Sequence, residues 1–169
     1  VVIRLLKEKG IDINKQIEVG YISNRKMFST PLEAASLMGL VQIVDLLLES
    51  SAIEINKTTK CGGTALVAAC MHGCLEVVDR LLLETDTLDM NCFVTSLKYI
   101  PGDNDHPGFL EKNALMFACK NGHVDVVKRM LCEENLAINS KNKNGASALH
   151  VALYWGHHEI AKLLRSSGW

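Results

Sequence analysis

The sequence has no membrane-length apolar run. Its leucine clusters are short and sit inside amphipathic patterns, far below the roughly eighteen residues a spanning helix needs. It also has no excess of either charge. With Lys+Arg 18 against Asp+Glu 19 the formal net charge is −1, which argues against nucleic-acid binding, since that needs a basic footprint able to displace counterions. No glycine-rich phosphate loop, nucleophile elbow or HExxH pair occurs. No catalytic residue, cofactor or metal is therefore expected. The six cysteines, Cys61, Cys70, Cys74, Cys92, Cys119 and Cys132, show no disulfide-framework spacing, which points to a reducing compartment.

What the chain does have is a repeat. Gly145–Leu164 (GASALHVALYWGHHEIAKLL) reads as a helical hairpin: Ser147 is placed to cap, Leu149, Val151, Ala152 and Leu153 begin an apolar helix, and Gly156 can take positive φ to end it. A second helix follows. Ile160, Ala161, Leu163 and Leu164 form its apolar stripe, with His157, Glu159, Lys162 and Arg165 on the side left for solvent.

The same pattern recurs at Thr30–Glu49, Thr64–Leu83 and Asn113–Cys132. Its core leucine falls at Leu32, Leu66, Leu115 and Leu149, with spacings of 34, 49 and 34 residues, and its turn glycine at Gly39, Gly73, Gly122 and Gly156. A near-constant period in this range means stacked units, none of which can bury its apolar face alone. Cys70 and Cys119 share one slot with Ser36 and Leu153. Neighbouring units place equivalent helices roughly 8 to 10 Å apart, too far for a disulfide, so these cysteines are small core residues.

On these marks the chain resembles the ankyrin-repeat family. The residues that carry the resemblance are Thr30-Pro31-Leu32 with Ala34-Ala35, Thr64-Ala65-Leu66 with Ala68-Ala69, and Ala148-Leu149-His150 with Ala152. To these are added the Gly-His pairs Gly122-His123 and Gly156-His157, and the hairpin asparagines Asn14, Asn56, Asn91 and Asn139. The resemblance implies an all-α solenoid of helix-turn-helix units with hairpin fingers. A single domain over 1–169 is expected, with a partial repeat at 1–14, repeats at 30–56, 64–91, 113–139 and 147–169, and loop insertions at 15–29 and 92–112. Val1–Asn14 matches the second helix of a repeat whose first helix is missing. There is no initiator Met and no signal peptide, so a segment of a longer array or protein is expected.

The chain departs from the family pattern at two places. The motif histidine is kept at His150 but replaced by Glu33, Val67 and Met116, which puts its inter-repeat hydrogen bonds in question. Each second helix also runs one residue long, and the glycine expected after it is kept only at Gly10. Of the insertions, the first (Asn14 to Thr30) reads as a lengthened finger. The second has β-favouring Phe93–Ile100, then turn-rich Pro101-Gly102-Asp103-Asn104 and Pro107-Gly108.

Several groups suggest chemistry that the repeat explains better. Cys70, His72 and Cys74 are close in sequence, but as a core slot, a groove position and the Gly-His slot they should diverge. Asp103, Asp105 and His106 lack the carboxylate count of a calcium loop. Asn56-Lys57-Thr58 matches a glycosylation sequon, yet Asn56 is also a hairpin asparagine.

Binding remains. The two positions before each turn glycine should face a concave groove: Leu37 and Met38, Met71 and His72, Lys120 and Asn121, Tyr154 and Trp155. In the family such positions and the finger tips commonly contact the partner, and apolar and aromatic side chains in a row suit hot spots. Two structural alternatives stay open: Tyr154 and Trp155 could pack on a further neighbour, and the Asn14 to Thr30 finger could fold over Leu37, Met38 and Met71. Fingers and insertions carry Lys15, Arg25, Lys26, Lys57, Lys60, Lys98, Lys112, Lys141 and Lys143 against Glu18, Asp103, Asp105 and Glu111, a basic rim that would favour an acidic partner segment.

The expected function is therefore a monomeric, intracellular and cytoplasmic module that binds a protein or peptide through groove and fingers, Lys141 and Lys143 included. It is not expected to act on nucleic acid or insert in a membrane. The alternative is a regulatory or targeting segment of a larger enzyme or channel, acting in cis.

Overall fold

The computed structural model of the chain describes residues 12–22, 25–59, 62–84, 86–95 and 111–168. Gly10, Lys60, Cys61, Lys98, Asp103, Asp105 and His106, and most of the partial repeat expected at 1–14, lie outside the described residues. The protein is all-α, a solenoid of stacked helical hairpins with little sheet among the described residues. Its helices among the described residues are α1 (Pro31–Leu37), α2 (Val41–Leu48), α3 (Ala65–His72), α4 (Leu75–Leu82), α5 (Ala114–Lys120), α6 (Val124–Met130), α7 (Ala148–Tyr154) and α8 (His158–Ser166). They form four hairpins stacked in chain order. The first helices pack in the series α1, α3, α5, α7, and the second helices in the series α2, α4, α6, α8.

Each hairpin is built by the same local chemistry. A short polar side chain starts the first helix by accepting a backbone N–H three residues on: Thr30 Oγ1 from Glu33 (3.1 Å), Thr64 Oγ1 from Val67 (3.2 Å) and Asn113 Oδ1 from Met116 (3.0 Å). Ser147 does this reciprocally with His150, whose Nδ1 accepts from the Ser147 N–H at 3.2 Å and lies 2.8 Å from its hydroxyl. The turn glycines end these helices with φ of 67 to 77°, and the next N–H reaches back to the carbonyl five residues earlier. Leu32, Leu66, Leu115 and Leu149 are buried in one continuous core.

Across each boundary, polar groups join the hairpins. Asn14 donates to the Ala52 carbonyl (2.7 Å) and accepts from the Glu54 N–H (2.9 Å). Asn56 bonds the Thr87 carbonyl and the Asp89 N–H, and Asn91 bonds the Asn135 carbonyl and the Ala137 N–H in the same way. Asn139 donates to the Gly168 carbonyl at 3.2 Å. One asparagine thus satisfies a donor and an acceptor of the following unit.

The histidine after the turn glycine has a similar role, which corrects the solvent-facing placement of His157. Its Nε2 lies 2.9 Å from the Lys120 carbonyl, and His123 Nε2 lies 3.1 Å from the Met71 carbonyl. Each ring sits against the glycine of the preceding turn, where a Cβ would come within 2.6 Å of it, at Gly73 for His123 and at Gly122 for His157. Cys74, in the same slot, points its thiol at the Leu37 carbonyl at 4.0 Å.

Glu33, where the motif histidine is replaced, keeps an inter-repeat contact. It is buried, accepts from Ser29 Oγ (2.9 Å) and Thr59 Oγ1 (3.4 Å), and burial raises its pKa above the usual carboxylate value. Val67 and Met116 in the same slot are buried apolar side chains.

Both insertions contain sheet. The first is a hairpin of β1 (Ile17–Ile22) and β2 (Arg25–Ser29), antiparallel with an irregularity between Glu18 and Gly20. In the second, β3 (Val94–Thr95) pairs with β4 (Glu111–Lys112), bringing the two ends of the insertion together. The matching fingers close alike, with Thr59 N–H on the Gly63 carbonyl and Asn142 N–H on the Ala146 carbonyl, both 2.9 Å.

Gly122 and Gly156 separate two costs. Both have positive φ, but a methyl at Gly156 meets nothing within 4 Å whereas one at Gly122 strikes the His157 ring. Left-handed backbone costs a non-glycine residue about 1–2 kcal/mol. Gly156→Ala should lower unfolding free energy by about that amount, and Gly122→Ala by clearly more, in urea denaturation. Equal losses would mean the His157 ring is not seated on the turn.

Candidate functional site: the concave groove

The eight residues expected to line a groove fall at the C-terminal ends of the four stacked first helices. Met38, Leu37 and Tyr154 are 66%, 41% and 54% exposed, and His72 and Asn121 are also exposed. Among the described residues, the first finger leaves Leu37 and Met38 open. Its strands instead pair with each other, and Gln16 donates to the Thr58 carbonyl of the neighbouring finger at 3.0 Å.

Met71 and Trp155 differ from the expected exposed row, since both are half-buried and pack on the core. Their side chains are long enough to lie along the helix surface and cover apolar neighbours. Trp155 meets Tyr154 edge-on, with ring centroids 5.4 Å apart, and the Lys120 ammonium lies 5.2 Å from the indole centroid. Burial lowers the pKa of Lys120 to about 8. The indole Nε1–H is buried and finds no acceptor among the described residues. His72 is also held below its usual pKa, first by burial and then by the nearby His123.

The backbone beneath these side chains is fixed by neighbours. Asn121 Nδ2 donates to the Met71 carbonyl at 2.6 Å, beside the His123 contact to the same oxygen, and His157 engages the Lys120 carbonyl. Sequence comparison of the repeats singled out Asn121 as a groove residue and missed this bond. The signal available was the amide beside a Gly-His pair.

The rim is less basic than the lysine count implied. Lys112 is fully buried, with its ammonium 5.2 Å from the Phe117 ring centroid, so it is no rim charge. Position β4 directs it inward, immediately before the Asn113 cap. Lys57 pairs with Glu54 at 2.9 Å and Lys143 with Glu111 at 2.5 Å, while Lys141 is exposed. Lys141 and Lys143 sit on a finger and not in the helical row.

Cys70, His72 and Cys74 do diverge. Cys70 is buried with its sulfur 3.6 Å from Met130 Sδ, His72 is exposed, and Cys74 faces the Leu37 carbonyl. Burial raises the pKa values of the Cys70 and Cys119 thiols far above the usual range, leaving them inert as nucleophiles. The Asn56 side chain amide is engaged by the Thr87 carbonyl, which is its structural role. Among the described residues no helix is long and apolar enough to cross a membrane.

The family model for ankyrin repeats (3 copies) matches residues 32–101 and 89–168. Over 132 residues the chain is 35% identical to the E3 ubiquitin-protein ligase XBAT33 of Arabidopsis thaliana, covering 72% of this chain and 23% of that protein. It is 30% identical over 168 residues to the ankyrin repeat protein FPV031 of fowlpox virus, covering 98% and 43%. It is 28% identical over 117 residues to the serine/threonine-protein kinase TNNI3K of Rattus norvegicus, covering 67% and 13%. The chain spans less than half the length of each of these relatives.

Lys120 gives a direct check on the packing at the end of the groove. Its folded pKa of about 8 lies below the ordinary 10.5, so the charged form is disfavoured by folding. That cost is fully present below about pH 8 and fades as pH rises toward 10.5. Trp155→Ala should uncover the amine and move its midpoint, followed by NMR of the lysine Nζ, up toward the ordinary value. An unmoved midpoint would mean that the indole does not shield it.

Proposed function

The chain belongs to the ankyrin-repeat family, and from that premise we propose that it binds a partner protein, or an extended segment of one, through its concave groove and adjoining fingers. Ankyrin repeats are protein-interaction modules, in general non-catalytic. The observation that supports the groove is the exposure of Leu37, Met38 and Tyr154 at the ends of stacked first helices, with the Met71 and Lys120 carbonyls of the units between them held by inter-repeat hydrogen bonds. Large side chains held open on a rigid support lose little entropy when a partner covers them. Lys141 and Lys143, with His72 and Asn121, supply polar contacts at its margin. We infer that residues 1–169 act as one monomeric unit, with the repeats at the boundaries given above, in a reducing, cytoplasmic setting.

A second reading is favoured by the relatives. The ligase and the kinase are named for activities, and this chain matches only 23% and 13% of their lengths. The repeats would then serve as the targeting or regulatory segment of a larger protein, in cis.

Met38→Ala with Tyr154→Ala tests the groove without touching the core. Partner captured by the intact chain should bind the double variant with a Kd raised at least about tenfold, at an unchanged thermal midpoint, because truncating an anchor side chain typically costs about 1–2 kcal/mol or more. Full-strength binding by the variant would remove these residues from the site.

A further inference from the structure

Each hairpin of the stack covers the one before it at three recurring places, and the fourth hairpin presents the same three places uncovered. The first is on the inner helix. Ser36, Cys70 and Cys119 share a slot and are fully buried, whereas Leu153, the largest side chain to occupy it, is 40% exposed on α7, which has no inner helix after it among the described residues. The second is at the turn. A Cβ at Gly39, Gly73 or Gly122 would meet the side chain that follows the next hairpin's turn, Cys74, His123 and His157 in order, but at Gly156 it would meet nothing within 4 Å. The third is on the outer helix. The fifth residue of each outer helix pairs with an opposite charge on the next one, Asp45 with Arg80 (3.2 Å), Asp79 with Arg129 (2.5 Å) and Lys128 with Glu159 (3.4 Å). The fifth residue of α8 is Lys162, exposed and in no ion pair among the described residues.

We propose that Leu153, Gly156 and Lys162 form a docking face for a fifth unit of the stack. The occupant is a helical hairpin whose inner helix covers Leu153, whose turn is followed by a histidine seated on Gly156, and whose outer helix carries a carboxylate at its second position for Lys162, as Glu159 does for Lys128. This face lies at the end of the stack and is separate from the groove, with residues of its own. An exposed leucine alone would suit any apolar partner. What selects a hairpin is continuity with an interface that the chain already forms three times, because the uncovered places match it in apolar contact, in shape at the glycine and in charge. The ion pair contributes least, since exposed pairs are weak, and serves to set charge preference.

The experiment appends to the full chain, after residue 169, a copy of residues 136–168, which supplies an inner helix, His157 and Glu159 at the 34-residue period of the stack. Amide hydrogen exchange in α7 should slow at least about tenfold in the extended chain relative to the parent. Leu153→Glu should abolish that slowing by placing a charge in the new interface, yet change α7 exchange in the parent by less than about threefold, since the side chain there already meets water. If Leu153→Glu does not fold, Gly156→Ala replaces it, and the slowing should again be lost because the methyl meets the appended histidine ring. Unchanged exchange in the extended chain, or slowing that survives the face variants, overturns the proposal. So does a parent chain that sediments as a concentration-dependent dimer dispersed by Leu153→Glu, which would assign the face to a second copy. Leu37 and Met38 are untouched in every variant, so the test of the groove stays independent.

Discussion

No hairpin in this chain can bury its own apolar stripe, and that shortage governs everything else. α3 presents apolar surface on nearly every side, with Ala65 to Cys70 all buried. It achieves this only because α1 and α5 lie against its flanks and α4 behind it. Residues in the slot shared by Ser36, Cys70 and Cys119 are fully buried, while Leu153, in the same slot of the last hairpin, is 40% exposed. The difference is one of position in the stack, since Leu153 is the most apolar of the four.

Hydrophobic contact does not by itself fix how one unit registers on the next. Directional bonds supply that. The hairpin asparagines reach from one unit to a donor and an acceptor two residues apart in the next, and the histidines after the turns reach back to the carbonyl at the end of the preceding inner helix. The second set of bonds lies directly beneath the groove. Stacking therefore also sets the ends of the inner helices: the contacts that seat each unit immobilise the carbonyls of Met71 and Lys120.

The repeat frame was legible in the sequence because its markers are constrained locally. A leucine must fill the core, a glycine must take positive φ, a Ser, Thr or Asn must cap, and each recurs at the same offset. What crosses between units was less legible. His157 looked solvent-facing on a helical wheel, which contains no neighbouring unit. Glu33 seemed to abandon the histidine's contact, yet its carboxylate reaches Thr59 across a glycine, Gly63, where a Cβ would stand 2.0 Å from Glu33 Oε1. Lys112 counted as a rim charge by composition, and only its place in β4 turns it inward. Of the groove residues, Leu37, Met38, His72, Asn121 and Tyr154 are exposed, whereas Met71, Lys120 and Trp155 are half-buried; methionine is open at position 38 and covered at 71, so residue type alone does not decide it. The Lys120–Trp155 contact spans 35 positions in sequence and no local pattern announces it.

Coupling between neighbouring units is the claim on which the groove depends, and amide hydrogen exchange reads it bond by bond. The Ala137 N–H is accepted by Asn91 and the Asp89 N–H by Asn56. In Asn91→Ala, exchange at Ala137 is expected to quicken at least about tenfold while Asp89 changes far less. Exchange at Ala137 that is equally fast with and without the Asn91 side chain would contradict the account.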